Sequence, residues 1–376
     1  MNIIEYAKTK RETFDQSPFN EVDSLIFAKL AYIHFEGLVP SINSPLRKPK
    51  PLTIGELLKN ENFEKMFHRV GNKKETTALF YEVAMSSRYR NVGVIFAEEI
   101  FDKDAAKQFA AVTFIIKKKL AYIAYRGTDN TIVGWKENLD MSYKFPVPAQ
   151  DESLLYLERV AKRLKKHKLI IGGHSKGGNL SQYAAMVAPA PILKRIVTVY
   201  NHDGPGFKEE YFLNTYFPRI KDKIKKTVPE SAVVGMLLHY PGPYRIIASD
   251  EFSVHQHDPF TWLIKGDAFI KLDSLSKDAI HFNNRLNKWL FQFDDDKREV
   301  FVNTMFNTIE KMKIEKLSDI IESKQKQLII ALNAVKNVDK EFRTVIYDTI
   351  IELISLYKSY KKKLEEFKNK NSNKKD

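Results

Sequence analysis

The sequence predicts an α/β protein in which helices flank a mainly parallel β-sheet. Apolar, strand-like runs alternate with helical patterns between residues 90 and 265. The helical patterns around residues 152–165 and 178–187 are long enough for the crossover connections that parallel strands require. A strand also passes directly into a helix at residues 169–187, through a glycine-rich turn.

The strands are predicted in chain order from their apolar runs. They are Val92–Phe96, Ala111–Ile116, Leu120–Tyr125, Leu169–Ile171, Arg195–Tyr200 and Tyr244–Ala248. Three lysines, 117–119, separate the second run from the third and indicate the turn of a hairpin. The remaining connections fit helical crossovers, so the later strands are expected to be parallel.

Four regions are expected along the chain. A helical N-terminal flank at 1–85, with apolar residues at helical spacing over 22–32, precedes the α/β core at 86–270. A helical region follows at 271–357, and a basic flexible tail at 358–376. Amphipathic stripes at 302–312 and 345–357 fit helices that pack on the core or on each other, or that bind a partner or membrane.

Composition excludes several classes of protein. The chain has 376 residues, 43% of them hydrophobic and 12% aromatic, which is ample for a buried core. It contains no cysteine, so disulfides, thiolate metal sites and cysteine nucleophiles are excluded. No zinc, P-loop or dinucleotide motif is present, and neither a metal nor an organic cofactor is expected. Without a long apolar run or a secretory signal, a cytoplasmic protein is expected.

The formal net charge of +14 is concentrated in short basic runs. They occupy 47–50, 73–74, 117–119, 162–168, 221–226 and the tail from 358. Such runs fit a solvated basic surface or a contact with an acidic partner such as an anionic membrane. Nucleic acid is not an expected partner, because no recognised binding motif or row of interleaved aromatic residues accompanies the charge.

The glycine-rich turn at residues 173–177 reads Gly-His-Ser-Lys-Gly. A strand, a sharp turn and a helix, with glycines two residues either side of a serine, form the pattern of a nucleophile elbow. The glycines permit the tight turn, and the strained serine presents its hydroxyl. Ser175 is therefore the candidate nucleophile. The alternative is a glycine-rich turn in which Ser175 only caps the helix.

A serine nucleophile needs a base, which in this type of fold comes later in the chain. His257 is the preferred candidate and His255 the second, because both lie in a predicted loop after the last strand. His174 is a poor candidate, since neighbouring residues on an elbow point in different directions. A surface-loop histidine without a catalytic role remains the alternative for His257.

Two carboxylates are candidates to orient the base. Asp203 follows the strand after the elbow, at the end of a sheet where sites in open α/β folds collect. Glu230 follows a Thr-Val-Pro segment and could also reach an imidazole. The alternative for Asp203 is an aspartate that orders its own Asp-Gly-Pro-Gly turn.

An oxyanion hole needs two backbone N–H groups. Lys176, directly after the serine, supplies one at the start of the helix. Thr128 could supply the other and could offer its hydroxyl as well, because the strand Leu120–Tyr125 runs into Arg126-Gly127-Thr128 and the glycine allows close approach.

Together these segments resemble two families. The Arg126-Gly127-Thr128 segment and the elbow are similar to those of class 3 lipases. Combined with residues 108–111, 134–137, 201–207 and 256–260, they resemble more closely the Mbeg-like bacterial α/β-hydrolases, over about residues 20–355. The resemblance implies a lipase-like α/β-hydrolase fold, Ser175 as nucleophile, and Thr128 with Lys176 in the oxyanion hole.

One position departs from the class 3 pattern. The acid motif of those lipases reads Asp-x-Val-Pro, whereas residues 226–229 read Lys-Thr-Val-Pro. The acid must therefore come from elsewhere, which favours Asp203.

The sequence thus predicts a serine hydrolase that cleaves a carboxylic ester, on a small ester or lipid substrate, through Ser175, His257 and Asp203. The alternative is a hydrolase-fold scaffold with little turnover that acts as an interaction or membrane-associated module. The oligomeric state is not predicted.

Overall fold

The computed structural model describes residues 1–68, 70–102, 107–128, 137–300 and 302–303. The strands are β1 Leu52–Thr53, β2 Gly93–Asp102, β3 Lys107–Lys117, β4 Leu120–Tyr125, β5 Lys168–His174, β6 Ile196–His202, β7 Ile224–Pro229, β8 Tyr244–Ile247, β9 Ile264–Lys265, β10 Ala268–Phe269 and β11 Lys271–Leu272. The helices with defined bounds are α1 Ile3–Thr9, α2 Glu21–Leu30, α3 Ile54–Leu57, α4 Lys73–Met85, α5 Pro148–Arg163, α6 Lys176–Val187, α7 Ala190–Leu193, α8 Glu210–Tyr216 and α9 Lys277–Gln292.

A central nine-stranded sheet has the order β1-β2-β3-β4-β5-β6-β7-β8-β11. The five strands from β4 to β8 are parallel, and antiparallel strands extend the sheet at both edges. Helices cover both faces, so the predicted α/β-hydrolase architecture, with its mainly parallel sheet, is confirmed. All five parallel strands end at the same edge of the sheet, where the loops that carry a site collect.

Five of the six predicted strands begin within one residue of the first residue of an observed strand. The hairpin turn at 117–119 is observed between β3 and β4. The strand β5 extends beyond the predicted apolar run to include Gly172, Gly173 and His174. The strand β7 was not predicted, because its sequence, Ile-Lys-Lys-Thr-Val-Pro, contains two lysines and few apolar residues. One of those lysines, Lys226, is nevertheless buried.

Alternation along the parallel strands divides the core between two layers. Tyr122 on β4 and Tyr200 on β6 face a cluster formed with the N-terminal helices. The adjacent residues Ile123 and Val199 face the opposite cluster, which includes residues of α5 and α6. The N-terminal flank is therefore one layer of the structure, packed directly on the sheet.

A buried ion pair fixes this N-terminal layer. All ten residues of α2 are buried, and Asp23 on this helix accepts from Arg88 Nε at 2.8 Å and from Arg88 Nη2 at 2.6 Å. The remaining Arg88 donors bind backbone carbonyls of Glu12, Ser17 and Pro18. Because every donor and acceptor is paired, the desolvation cost of the two charges is offset.

The predicted amphipathic stripes at 302–312 and 345–357, apart from residues 302–303, and the predicted tail at 358–376 lie outside the described residues. Within the described part of the chain, no helix is both long and apolar enough to cross a bilayer.

We expect Asp23→Asn to lower the free energy of unfolding by about 3–5 kcal/mol, because it leaves a buried guanidinium without its charge partner. Chemical denaturation measures the change. The matched control is Asp15→Asn, which removes the partner of Lys117 from an exposed pair. That variant is expected to change stability by less than about 1 kcal/mol. Equal effects of the two substitutions would contradict the assigned role of the Arg88–Asp23 pair.

Candidate active site

Ser175 lies between β5 and α6 in a strained conformation. Its backbone has φ 57° and ψ −131°, a region that residues with a side chain rarely adopt. A Cβ added to Gly173 would lie 2.5 Å from the carbonyl oxygen of Tyr125, and one added to Gly177 would lie 2.1 Å from the same oxygen. The close approach of β4 to the turn therefore requires both glycines. This geometry matches the predicted elbow.

His257 and Asp203 come together at the same edge of the sheet. Asp203 follows β6 directly, and His257 ends a short 3₁₀ helix, Ser253–His257, that follows β8. His257 Nδ1 donates to Asp203 Oδ2 at 2.6 Å. Because Nδ1 carries this proton in the neutral ring, Nε2 is left as the acceptor.

Asp203 is fully buried and held by three contacts. Its backbone N–H donates to Thr227 O at 2.7 Å, and its Oδ1 accepts from Gly235 N at 3.1 Å. A Cβ at position 235 would lie 2.1 Å from Oδ1, so only glycine allows this approach. The following turn is ordered by another residue, since Gly204 N donates to Asn201 Oδ1 at 2.8 Å. The Asp203 carboxylate is thus directed at His257 and Gly235.

The loop that carries His257 is anchored on both sides. Gln256 accepts from Ser231 N at 2.6 Å and donates to Glu251 O at 2.8 Å. The indole of the buried Trp262 donates to Gln256 O at 2.8 Å. His257 O itself accepts from His174 Nε2 at 2.9 Å. The backbone on which the candidate base sits is therefore tied to the elbow.

The neutral imidazole of His174 makes this contact with the His257 backbone. Burial, reinforced by the nearby His257 and Lys29, lowers the pKa of His174 well below its usual value. With its proton on Nε2, its Nδ1 accepts from the Tyr32 hydroxyl at 3.5 Å. His174 was judged a poor base from sequence, and its two ring nitrogens are engaged in these contacts. The sequence analysis did not foresee its anchoring contact, for which no local pattern exists.

The Ser175 hydroxyl makes no hydrogen bond to the Asp203–His257 pair in the described part of the chain. The residue is 6% exposed, and the His257 side chain is 26% exposed. Within the described residues, no hydrogen bond joins Ser175 Oγ to the His257 ring. Catalytic hydrogen bonds are often long in free enzymes and shorten when substrate binds. The contact between the serine and the imidazole therefore stays a prediction.

The segment that contains Thr128 lies against the elbow. A Cβ added to Gly127 would lie 3.2 Å from Ser175 Cβ and 2.5 Å from His174 O, so glycine allows the backbone to approach the serine. The Thr128 hydroxyl donates to Asn138 Oδ1 at 3.0 Å. Because this contact engages the hydroxyl, the backbone N–H is the Thr128 group on which the predicted oxyanion hole depends.

Arg126 fixes the start of this segment. It pairs with Glu99 at 3.1 Å, and its backbone N–H donates to Ala110 O at 2.9 Å. Burial raises the pKa of the Glu99 carboxyl, but hydrogen bonding to His34 and the charge of Arg126 outweigh that effect and lower it. Glu99 therefore stays ionised and holds Arg126 in place.

Lys176 is fixed by a buried ion pair. Its side chain is 1% exposed, and Nζ contacts Glu137 Oε2 and donates to Gln108 O at 2.7 Å. The same Glu137 oxygen accepts from Gln108 N at 3.3 Å. The first residue of α6 is thereby tied to β3 and to the short helix at 137–140. This contact restrains the backbone N–H that was predicted to bind an oxyanion.

Neither of the two alternative residues takes part in the Asp203–His257 contact. His255 is exposed on the same 3₁₀ helix as His257. Glu230 follows β7, where its backbone bonds to Ile247 O and to Ser276 N. In the described part of the chain, the Glu230 carboxylate makes no hydrogen bond to His257. Of the two candidate acids, the structure brings Asp203 to the imidazole.

Lys226 occupies the position at which the class 3 pattern has its aspartate. It is 2% exposed, and its Nζ lies 4.3 Å from the centroid of the Tyr240 ring. The ammonium has no hydrogen-bond partner among the described residues. Burial lowers the pKa of Lys226 to about 7, against the opposing attraction of Asp203. A buried acid directly after β6 thus has a buried lysine on the neighbouring strand β7.

Among the residues that the structure describes, no group of three or more histidine, aspartate or glutamate side chains is arranged to hold a metal ion.

We expect Lys226→Met to stabilise the protein by on the order of a few kcal/mol near pH 6. The folded state binds the lysine proton less tightly than the unfolded state, so wild-type stability recovers as pH rises from about 7 to 10.5. The gain should therefore shrink towards pH 10.5. Denaturant unfolding at several pH values measures it. Lys225→Met, an adjacent and exposed change, should show no such trend; a pH-independent gain at position 226 would contradict the prediction.

Comparison with known proteins gives one family and several solved structures. The chain resembles a Rhizomucor miehei lipase propeptide complex at 18% identity, covering 45% of this chain and 58% of that one, with a TM-score of 0.32. Lipase II from Rhizopus niveus matches at 15% identity over 53% and 83% of the two chains, with a TM-score of 0.35. Lip2 lipase from Yarrowia lipolytica matches at 13% identity over 67% and 82%, with a TM-score of 0.36.

No curated protein matches the chain. The model of the Mbeg1-like family matches residues 83–307, more than half of the sequence. This range contains Thr128, Ser175, Asp203 and His257, together with the strands β2 to β11. The family resemblance drawn from the motifs is thereby confirmed, and the chain belongs to the Mbeg1-like family.

Proposed function

We propose that the protein is a serine hydrolase that cleaves carboxylic esters through Ser175, His257 and Asp203. The observation that carries the proposal is the 2.6 Å contact between His257 Nδ1 and the buried Asp203, next to a serine at a strained elbow. A buried carboxylate that accepts from Nδ1 fixes the imidazole tautomer and favours the imidazolium that forms in the reaction. A histidine with only a structural role would not need this arrangement beside an elbow serine.

In the first half of the reaction, Ser175 Oγ attacks the carbonyl carbon of the ester while His257 Nε2 takes the hydroxyl proton. The negative charge that develops on the carbonyl oxygen is stabilised by the backbone N–H groups of Thr128 and Lys176. His257 then gives its proton to the leaving alcohol. The product is an ester between Ser175 and the acyl group.

In the second half, a water molecule gives a proton to His257 Nε2 and attacks the acyl carbon. The bond to Ser175 Oγ breaks, the proton returns from His257 to that oxygen, and the carboxylic acid leaves. Asp203 keeps its contact with Nδ1 throughout and stabilises the imidazolium. No group beyond these side chains and backbone amides takes part in the proposal.

The low solvent exposure of the elbow supports a small ester, or a lipid with an unbranched acyl chain, as the substrate. Ser175 is 6% exposed and His174, beside it, is 4% exposed, so bulky acyl groups would meet the packed elbow before reaching the hydroxyl. An acyl-chain-length series of soluble esters measures this preference. The rate is expected to fall for branched or aromatic acyl groups.

Ser175→Ala should abolish covalent labelling by a fluorophosphonate, because the reagent reacts with a hydroxyl that a neighbouring base activates. Intact-protein mass spectrometry measures the adduct. The matched control is Ser41→Ala, a change on the exposed surface that should leave labelling intact.

Labelling that persists in Ser175→Ala would place the reactive serine elsewhere. A wild-type protein that folds but neither reacts nor hydrolyses esters would favour the alternative of a hydrolase-fold scaffold. The missing hydrogen bond between Ser175 and His257 in the described structure makes this outcome worth testing directly.

Asp203→Asn should lower kcat by up to about 10⁴-fold while preserving the fold, because an amide favours the wrong imidazole tautomer. Steady-state hydrolysis of a short ester measures the change. Glu230→Gln is the matched control, since it removes a charge at the end of the adjacent strand without touching His257. A comparable loss in both variants would mean that general electrostatics, and not the contact with His257, accounts for the effect.

A further inference from the structure

The basic runs of the sequence meet at one edge of the sheet. Lys117–Lys119 lead into β4, Lys165–Lys168 into β5, Lys194 and Arg195 into β6, and Lys221–Lys223 into β7. Because β4 to β7 are parallel and adjacent, the segments before them lie side by side. Three backbone bonds confirm the contact, from Lys168 N to Lys119 O, from Leu169 N to Arg195 O and from Val199 N to Lys223 O, each at 2.9 Å.

Seven lysines at this edge are exposed and take part in no ion pair within the described part of the chain. We call them the lysine edge: Lys118, Lys119, Lys165, Lys166, Lys168, Lys194 and Lys221. Acidic neighbours are few. Asp15 pairs with Lys117 at 3.2 Å, and Asp222 is exposed beside Lys221. The edge therefore carries an excess of positive charge that is not neutralised by ion pairs within the described part of the chain.

The chemistry of the edge fits a diffuse anionic surface. Arg195 is the arginine of these segments, and its guanidinium is committed to the carbonyls of Ala161, Leu164 and His167. The exposed charges are thus lysine ammoniums, which act as point charges and do not form the bidentate contacts with which arginine reads a single phosphate. The seven lysines themselves come from turns on four adjacent strands, without interleaved aromatic residues on which bases would stack.

From this arrangement we infer that the lysine edge binds the surface of an anionic lipid bilayer. Neighbouring strands are spaced about 4.8 Å apart, so four strand starts present their lysines across roughly 15 Å. Several ammoniums can then face one bilayer surface together. The attraction depends on ionic strength, because exposed charges are screened over a Debye length of about 10 Å at 0.1 M salt.

The same topology directs the candidate active site away from that surface. Ser175 follows the carboxyl end of β5, whereas Lys168 begins the strand. Seven residues at about 3.3 Å each separate the two ends by about 20 Å. A protein bound by the lysine edge would hold Ser175 towards the solution. This consequence holds whether or not Ser175 is catalytic, so the inference does not depend on the proposed function.

Binding of the full-length chain to vesicles tests the inference. The probes are vesicles of phosphatidylcholine alone and of phosphatidylcholine with phosphatidylserine in equal parts. We expect binding only to the anionic vesicles, and a loss of roughly 100-fold when four edge lysines are changed to glutamine at about 0.1 M salt. The four changes are Lys118→Gln, Lys119→Gln, Lys166→Gln and Lys168→Gln.

A matched variant separates position from net charge. It removes four exposed lysines from the opposite end of the molecule, at the carboxyl ends of the parallel strands. Lys271 pairs there with Ile247, the last residue of β8. Lys277 follows Ser276, which bonds to Glu230 directly after β7. The four changes are Lys74→Gln, Lys144→Gln, Lys271→Gln and Lys277→Gln. This variant should bind nearly as the wild type does. Equal losses in the two variants, or no difference between the two vesicle types, would overturn the inference.

The absence of cysteine allows the orientation to be measured as well. Lys118→Cys and Lys277→Cys each remove one charge and add the one thiol of the chain, which can carry an environment-sensitive fluorophore. Vesicle binding should shift the emission at position 118 and leave that at position 277 unchanged. A shift at position 277 alone would overturn the inference, as would binding to single-stranded RNA or duplex DNA without binding to vesicles, which would identify a nucleic acid as the partner.

Discussion

The close approach of β4 to the elbow that follows β5 is the constraint on which the candidate site depends. Gly173 and Gly177 bring the turn against the Tyr125 carbonyl, and Gly127 brings the next segment against Ser175. Any side chain at these positions would separate β4 from β5 and move Thr128 away from the serine. The positive φ of Ser175 is the cost of that contact, and the buried pair of Lys176 with Glu137 helps to hold it.

The second feature is the strand on which the buried carboxylate stands. In the class 3 pattern the acid stands on the strand equivalent to β7, whereas here the buried carboxylate follows β6 and a lysine stands on β7. Asp203 N bonds to Thr227 O, so the buried carboxylate follows the strand that lies directly beside Lys226.

The sequence was sufficient for the parts of the structure that local rules govern. Glycine spacing predicted the elbow, and apolar runs predicted most strands. The strand β7 was missed because its burial comes from its neighbours and not from its own composition, as Lys226 illustrates. Likewise, the sequence favoured Asp203 over Glu230 only because the Asp-x-Val-Pro motif of class 3 lipases lacks its aspartate here. The contact between Asp203 and His257 joins residues 54 positions apart, so it leaves no local pattern in the sequence. The anchoring of His257 by His174 has the same long-range origin.

The N-terminal layer extends the structure beyond the range that defines the family. The family match begins at residue 83, yet Ser24 on α2 lies 2.9 Å from His202 Nε2, next to Asp203, and Tyr32 contacts His174, next to Ser175. Tyr122 and Tyr200 pack on this layer from the sheet. The start of the family match is therefore not a boundary of folding. A fragment that begins at residue 83 would expose aromatic residues of the sheet to water. It would also lack the contacts to His174 and His202, which precede the candidate nucleophile and the candidate acid.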